Sequence, residues 1–164
     1  MNMKTIKSRI ALTLVAAFVL MLSIACEHAA SPTATNELSQ LDFSSIAEPA
    51  GRWQAYGLKN YSIEQKRVCF CRFPHGFVRL TVEDNKITGG IDLTTNQPVP
   101  PETLQYYQTI NELFAWIKEA QALNPVRLEI EYNARFGYPE KIAFDYSTDV
   151  ADDELWIEIQ ELKK

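Results

Sequence analysis

The chain is poor in the side chains that carry most enzymatic chemistry. Of its 164 residues only two are histidine and three are cysteine. His28 falls in a polar N-terminal stretch, which leaves His75 as the one histidine of the folded region. A Cys–His pair is sterically open to it through the Pro74-His75-Gly76 turn, but no orienting carboxylate or oxyanion-hole pattern stands at a recognisable spacing. There is no C-x-x-C and no thioredoxin-like pattern. Lysine and arginine form no cluster in a chain of formal net charge −5, a balance that repels phosphate backbones and speaks against nucleic acid as a partner. No apolar run reaches the ~20 residues that a membrane-spanning helix needs.

What is present begins with an export signal. Lys4, Lys7 and Arg9 precede an uncharged run from Ile10 to Ile24, which reads as a signal peptide over residues 1–25. The segment Leu22-Ser23-Ile24-Ala25-Cys26 resembles the lipobox of bacterial lipoproteins, with its leucine one position further out than usual. The resemblance implies cleavage before Cys26 and a diacylated, N-acylated cysteine, whose acyl chains give stable anchoring where a single chain does not. Glu27 stands where an aspartate would imply inner-membrane retention. The expected place is therefore the bacterial cell envelope, on the outer membrane facing the periplasm where the cell has one. Loss of the three cationic residues takes the net charge from −5 to −8. Residues 26–47, rich in Ala, Ser and Thr, read as the lipidated cysteine and a tether, and residues 48–164 as a single domain.

Periodicity within the domain predicts a helix near Pro49–Leu58 with Trp53 and Tyr56 on one side. Strand candidates follow at Tyr61–Cys71, Phe77–Glu83 and Ile87–Leu93, with a turn at Asp84-Asn85 and a bulge at Gly89-Gly90. The proline-rich stretch Gln97–Glu102 reads as a linker. Thr109-Ile-Asn-Glu112 fits a capping box, followed by Ile110, Leu113, Phe114, Ile117, Ala120 and Leu123 at helical spacing. Three more strands are expected: Val126–Tyr132 with Val126, Leu128, Ile130 and Tyr132 inward, Lys141–Tyr146 with Ile142, Phe144 and Tyr146 inward, and Leu155–Leu162 with Leu155, Ile157 and Ile159 inward. The order α-β-β-β-α-β-β-β predicts an α+β fold, an antiparallel sheet of about six strands with two helices on one face. A single curved sheet of the cystatin or NTF2 kind is the alternative.

Two constellations could carry chemistry. Cys69-Phe70-Cys71 would place two thiols on one strand face with alpha carbons about 6.6 Å apart. Disulfides prefer ~5.5–6 Å, so a bridge needs a kink. Tyr61 and Ile63 are apolar at odd positions and Val68 and Phe70 at even ones, which predicts a phase slip near Lys66 and thiols that face outward. Four readings are open. A Cys69–Cys71 disulfide is the default outside the cytoplasm. The others are buried idle thiols, a copper or zinc site of Cys69, Cys71 and His75, and redox exchange. The leading reading needs no cofactor. The second constellation is the acidic loop with Asp149, Asp152, Asp153 and Glu154, a weak candidate binding surface. It starts like a calcium loop, but Val150 takes the place of the needed glycine and Trp156 that of the closing glutamate.

Taken as a set, Trp53, Tyr61, Cys69-Phe70-Cys71, Ile110-Asn-Glu-Leu113-Phe114, Gly137-Tyr138-Pro139 and Asp152-Asp153-Glu154 resemble a family of uncharacterised bacterial exported proteins, many of them lipoproteins. The likeness implies one domain over roughly residues 50–160 and brings no activity with it. The functional expectation is a non-enzymatic, envelope-anchored lipoprotein that binds a protein partner or serves structurally. The rival is a thiol-based metal or redox protein.

Overall fold

Val78, Leu80 and Val82 are at most 1% exposed, while Arg79, Thr81 and Glu83 between them face solvent. That period of two makes Val78–Glu83 a strand with one covered face and one open face. The computed structural model describes residues 38–69, 76–147 and 154–164, all within the unit Pro32–Lys164. Helix α1 (Pro49–Tyr56) leads into β1 (Tyr61–Val68), β2 (Val78–Glu83), β3 (Lys86–Asp92) and β4 (Gln97–Pro98). Helices α2 (Pro101–Leu104) and α3 (Ile110–Ala122) precede β5 (Arg127–Tyr132), β6 (Pro139–Asp145) and β7 (Leu155–Lys163). The strands form one sheet in the order β4-β3-β2-β1-β7-β6-β5, and each neighbouring pair is antiparallel. Two meanders, one from each half of the chain, thus meet where β1 pairs with β7.

The fold is α+β as expected, with seven strands among the described residues rather than six. The difference lies in the stretch read as a linker. Asp92 Oδ1 accepts hydrogen bonds from the Thr94 and Thr95 amides, at 2.8 and 3.4 Å, and Asn96 turns at φ 55°. The chain then returns for two residues beside Ile91 and Asp92. Proline is tolerated at position 98 because β4 is an edge, where a missing N–H costs no ladder bond. Pro101 then opens the single turn of α2. Leu104 of that turn rests on β3 at Gly90, where any Cβ would stand 2.7 Å from the leucine. The extra residue of β3 is Thr88, between the pairs Thr81–Gly89 and Val82–Ile87, next to the expected bulge. Asp84 and Asn85 close the β2–β3 hairpin with φ of 47° and 60°, the pair of left-handed residues that a two-residue turn needs.

The capping box at α3 is complete. The Thr109 hydroxyl accepts from the Glu112 amide at 3.2 Å, and Glu112 Oε2 accepts from the Thr109 amide at 2.8 Å. The next free amide, that of Ile110, donates to the Tyr61 hydroxyl at 3.0 Å, so β1 itself caps the helix. Trp53 from α1 meets Tyr61 edge-on at 5.3 Å, and its indole N–H donates to Asn111 Oδ1 at 2.8 Å. Both main helices are therefore fixed to the same face of β1.

Three expectations about facing are overturned. No phase slip occurs at Lys66: Gln65 stands opposite Ile159 and Arg67 opposite Ile157, both buried, so the inward positions continue as 61, 63, 65, 67. Val68 instead lies on the open face, 45% exposed. The inward places are filled by an amide and a guanidinium, which an apolar pattern does not reveal. The irregularity of the β1–β7 ladder falls on β7, between Gln160 and Lys163, where Glu161 has φ 54°. Val126 and Tyr146, expected inward, are exposed because they lie just beyond the ends of β5 and β6. Leu123, expected on the buried helix face, likewise sits past the last turn of α3 and is exposed.

Candidate binding face

On the open face of the C-terminal meander, alternation that buries Ile157 and Ile159 turns Trp156 outward, 45% exposed. Its strand neighbours are Ala143 on β6 and Val68 on β1, which give it a flat apolar setting. The Arg127 guanidinium carbon lies 5.0 Å from its ring centroid, within cation–π range. That guanidinium also donates to Glu129 Oε2 at 2.8 Å, a bond that lifts the arginine further above its ordinary pKa and holds the Glu129 carboxyl below its own. Lys141 donates to Glu131 at 2.9 Å, and Lys66 faces Glu158 at 3.6 Å. Together Arg127, Glu129, Lys141, Ala143, Trp156 and Glu158 line a groove of 240 Å³ on the sheet surface.

Beside it on the same face, Glu64 is the best-satisfied charge. Its carboxylate accepts from Arg79 Nε and a second guanidinium nitrogen at 3.1 and 2.7 Å, and from Gln160 at 2.9 Å. Burial pushes this carboxyl up, but the hydrogen bonds from Gln160 and Arg79 and the nearby cations outweigh it and carry it below the ordinary value.

Beneath the helices runs a second polar line. Gln65, fully buried, exchanges two hydrogen bonds with the Gln108 backbone. Arg67 donates to the Tyr106 carbonyl at 2.5 Å and to Gln108 Oε1 at 2.7 Å, and burial lowers its pKa. The Tyr107 hydroxyl is buried without a hydrogen-bond partner, and burial pushes it up to about 12. These groups fasten the segment that enters α3. A wider cleft of 640 Å³ lies between α1 and α3. Its aromatic residues are already committed: Trp53 is 2% exposed with its N–H bonded, and Phe114 stacks on Tyr132.

Of the residues singled out from sequence, Cys69 is half-buried just beyond β1, and Glu154 is exposed just before β7. Cys26, Cys71, His75, Asp149, Asp152 and Asp153 lie outside the described residues. Among the described residues no cluster of three His, Cys, Asp or Glu side chains could hold a metal ion, and no helix is long and apolar enough to cross a membrane. In the sequence alone Trp156 stands out only as a mismatch in a calcium loop. The signal that finds it is simple: an aromatic at an outward position of a strand whose other face is already apolar.

No curated protein and no solved structure matches the chain. A family model does, over residues 45–164, from just before α1 to the C-terminus. By that match the chain belongs to DUF6174, a family of unknown function.

Proposed function

We propose that the chain is an envelope-anchored lipoprotein, held through acylated Cys26, whose domain binds an envelope protein partner through the open sheet face. The observation that carries the binding reading is Trp156, nearly half exposed near the start of β7 on that face with Arg127 over its ring. Tryptophan and arginine are the residues that most often dominate protein–protein interfaces, where a rigid aromatic surface loses little entropy on docking. Lys66, Arg127 and Lys141 are each paired with a glutamate of the face, so an incoming surface meets three neutralised cations around the apolar ring. Under this reading Cys69 and Cys71 form a structural disulfide, and the protein needs no cofactor.

The test is co-purification of the full chain from envelope extracts, with Trp156→Ala and Gln121→Ala compared. Gln121 is exposed on α3, on the opposite side of the sheet. The expected result is one recurrent partner, retained by Gln121→Ala and lost by Trp156→Ala. Equal recovery with both variants would overturn the assignment of this face. Absence of incorporated palmitate in the native chain, compared with Cys26→Ala, would overturn the anchor.

A further inference from the structure

The two edges of the sheet are protected to different degrees. At one edge, β4 offers two residues, one of them proline, and so little to pair with. At the other, β5 is a regular six-residue strand, and no described strand pairs with its outer side. Its one ladder irregularity falls on β6, between Lys141 and Pro139, so the edge strand stays straight. Its inward residues Leu128, Ile130 and Tyr132 are apolar and half-buried, with no inward charge to discourage pairing.

The sequence of this edge is self-complementary. Antiparallel pairing of two copies about Glu129 sets Arg127 opposite Glu131 of the second copy, and Glu131 opposite its Arg127. On the other face Leu128 meets Ile130, and the exposed Val126 meets Tyr132. At the centre Glu129 meets its own counterpart, each carboxylate already held by Arg127 of its own chain at 2.8 Å. Any shift of one residue would oppose outward side chains to inward ones.

We propose that β5 is a homodimer interface, in which two copies of this chain join edge to edge in that register and form a continuous antiparallel sheet of fourteen strands from two sheets of seven. The contact is isologous, so each favourable pair occurs twice. It adds main-chain hydrogen bonds for affinity and charge pairs for register. The two Trp156 rings then lie on one extended face, five strand spacings or roughly 24 Å apart. This goes beyond the binding reading above and stands or falls without it.

The register predicts a cross-linking pattern in the full chain under added oxidant, with the unchanged chain as baseline. Glu129→Cys places two introduced thiols opposite one another at alpha-carbon separations of about 4.5–5.5 Å, within disulfide reach. Arg127→Cys or Glu131→Cys alone separates them by about 13 Å, and neither bridges. The three side chains are 42%, 66% and 66% exposed, so the fold is kept in each. A covalent dimer from Glu129→Cys only is the expected result. Dimer from none of them, or equally from all three, overturns the proposal. In the Glu129→Cys background, Arg127→Glu should lower the dimer yield roughly tenfold, because two pairs are lost at once. Adding Glu131→Arg should restore it; a double variant that stays as weak as the single one contradicts this register.

Discussion

The side chain of Gln65 treats the backbone of Gln108 as a neighbouring strand would. Its Nε2 donates to the Gln108 carbonyl at 3.0 Å, and its Oε1 accepts from the Gln108 amide at 3.3 Å. Forty-three residues apart in sequence, the two tie the middle of β1 to the chain just before the α3 cap. Gln65→Leu keeps the volume but orphans an amide and a carbonyl at a fully buried site, and should cost about 1–3 kcal/mol. Urea unfolding measures it; a change below ~0.5 kcal/mol would mean that the pair contributes little.

Tyr107 and Tyr61 make a matched comparison. Both are buried phenols, but the Tyr61 hydroxyl accepts the Ile110 amide whereas that of Tyr107 has no hydrogen-bond partner. Tyr61→Phe should lose about 1–3 kcal/mol by stripping the helix start of its acceptor. Tyr107→Phe should be neutral or stabilising, because it removes a polar atom buried without compensation. The thermal midpoints of the two variants check this.

Stability should fall at both extremes of pH. Glu64 has a folded pKa below its ordinary 4.5, so its contribution is present above that value and disappears as pH falls through the lowered one. Glu64→Gln should flatten this acid limb. Tyr61, Tyr107 and Tyr138 are each raised to about 12 by burial, from 10. Their contribution is complete below pH 10 and is lost as pH rises toward 12. Urea midpoints across pH 3 to 12 should trace both limbs; a flat profile below pH 5 would contradict the assignment to Glu64.

Gly137 and Gly57 both sit at positive φ, 81° and 59°, but only the first is crowded. A Cβ at 137 would collide with the Pro49 carbonyl, and one at 57 meets nothing within 4 Å. Gly57→Ala should therefore cost about 1 kcal/mol of backbone strain, and Gly137→Ala clearly more, because α1 must move. Equal costs in chemical denaturation would show that the α1 contact is soft.

A Cys69–Cys71 disulfide as a structural staple predicts a native mass two hydrogens below the reduced chain, with no metal adduct. Cys69→Ser with Cys71→Ser should then cost stability and leave partner recovery unchanged. One copper or zinc ion per chain, lost on replacing Cys69, would assign the pair to metal binding instead.

The local fold was legible wherever a single periodicity governed a segment. The capping box at Thr109 and Glu112, the Asp84-Asn85 hairpin and the strand Val78–Glu83 are each decided by residues close in sequence. What was not legible depends on distant partners. Gln65 and Arg67 carry no apolar signal to extend the inward phase of Tyr61 and Ile63 past Lys66, yet here Gln108 and Tyr106 supply their polar partners. The short β4 is shaped by a turn at Asp92 and by Gly90, which receives Leu104. The candidate face was hidden for a related reason. An outward tryptophan becomes informative only once β6 and β5 bring Ala143 and Arg127 to it.

The proposed contact of the open sheet face around Trp156 with a protein can be read in living cells. The most direct measurement is photo-crosslinking in intact cells, with a photoreactive side chain in place of Trp156, then of Val68, then of Gln121. Adducts to the same partner are expected from positions 156 and 68, and none from 121. Adducts from 121 alone, or none from 156, would contradict it.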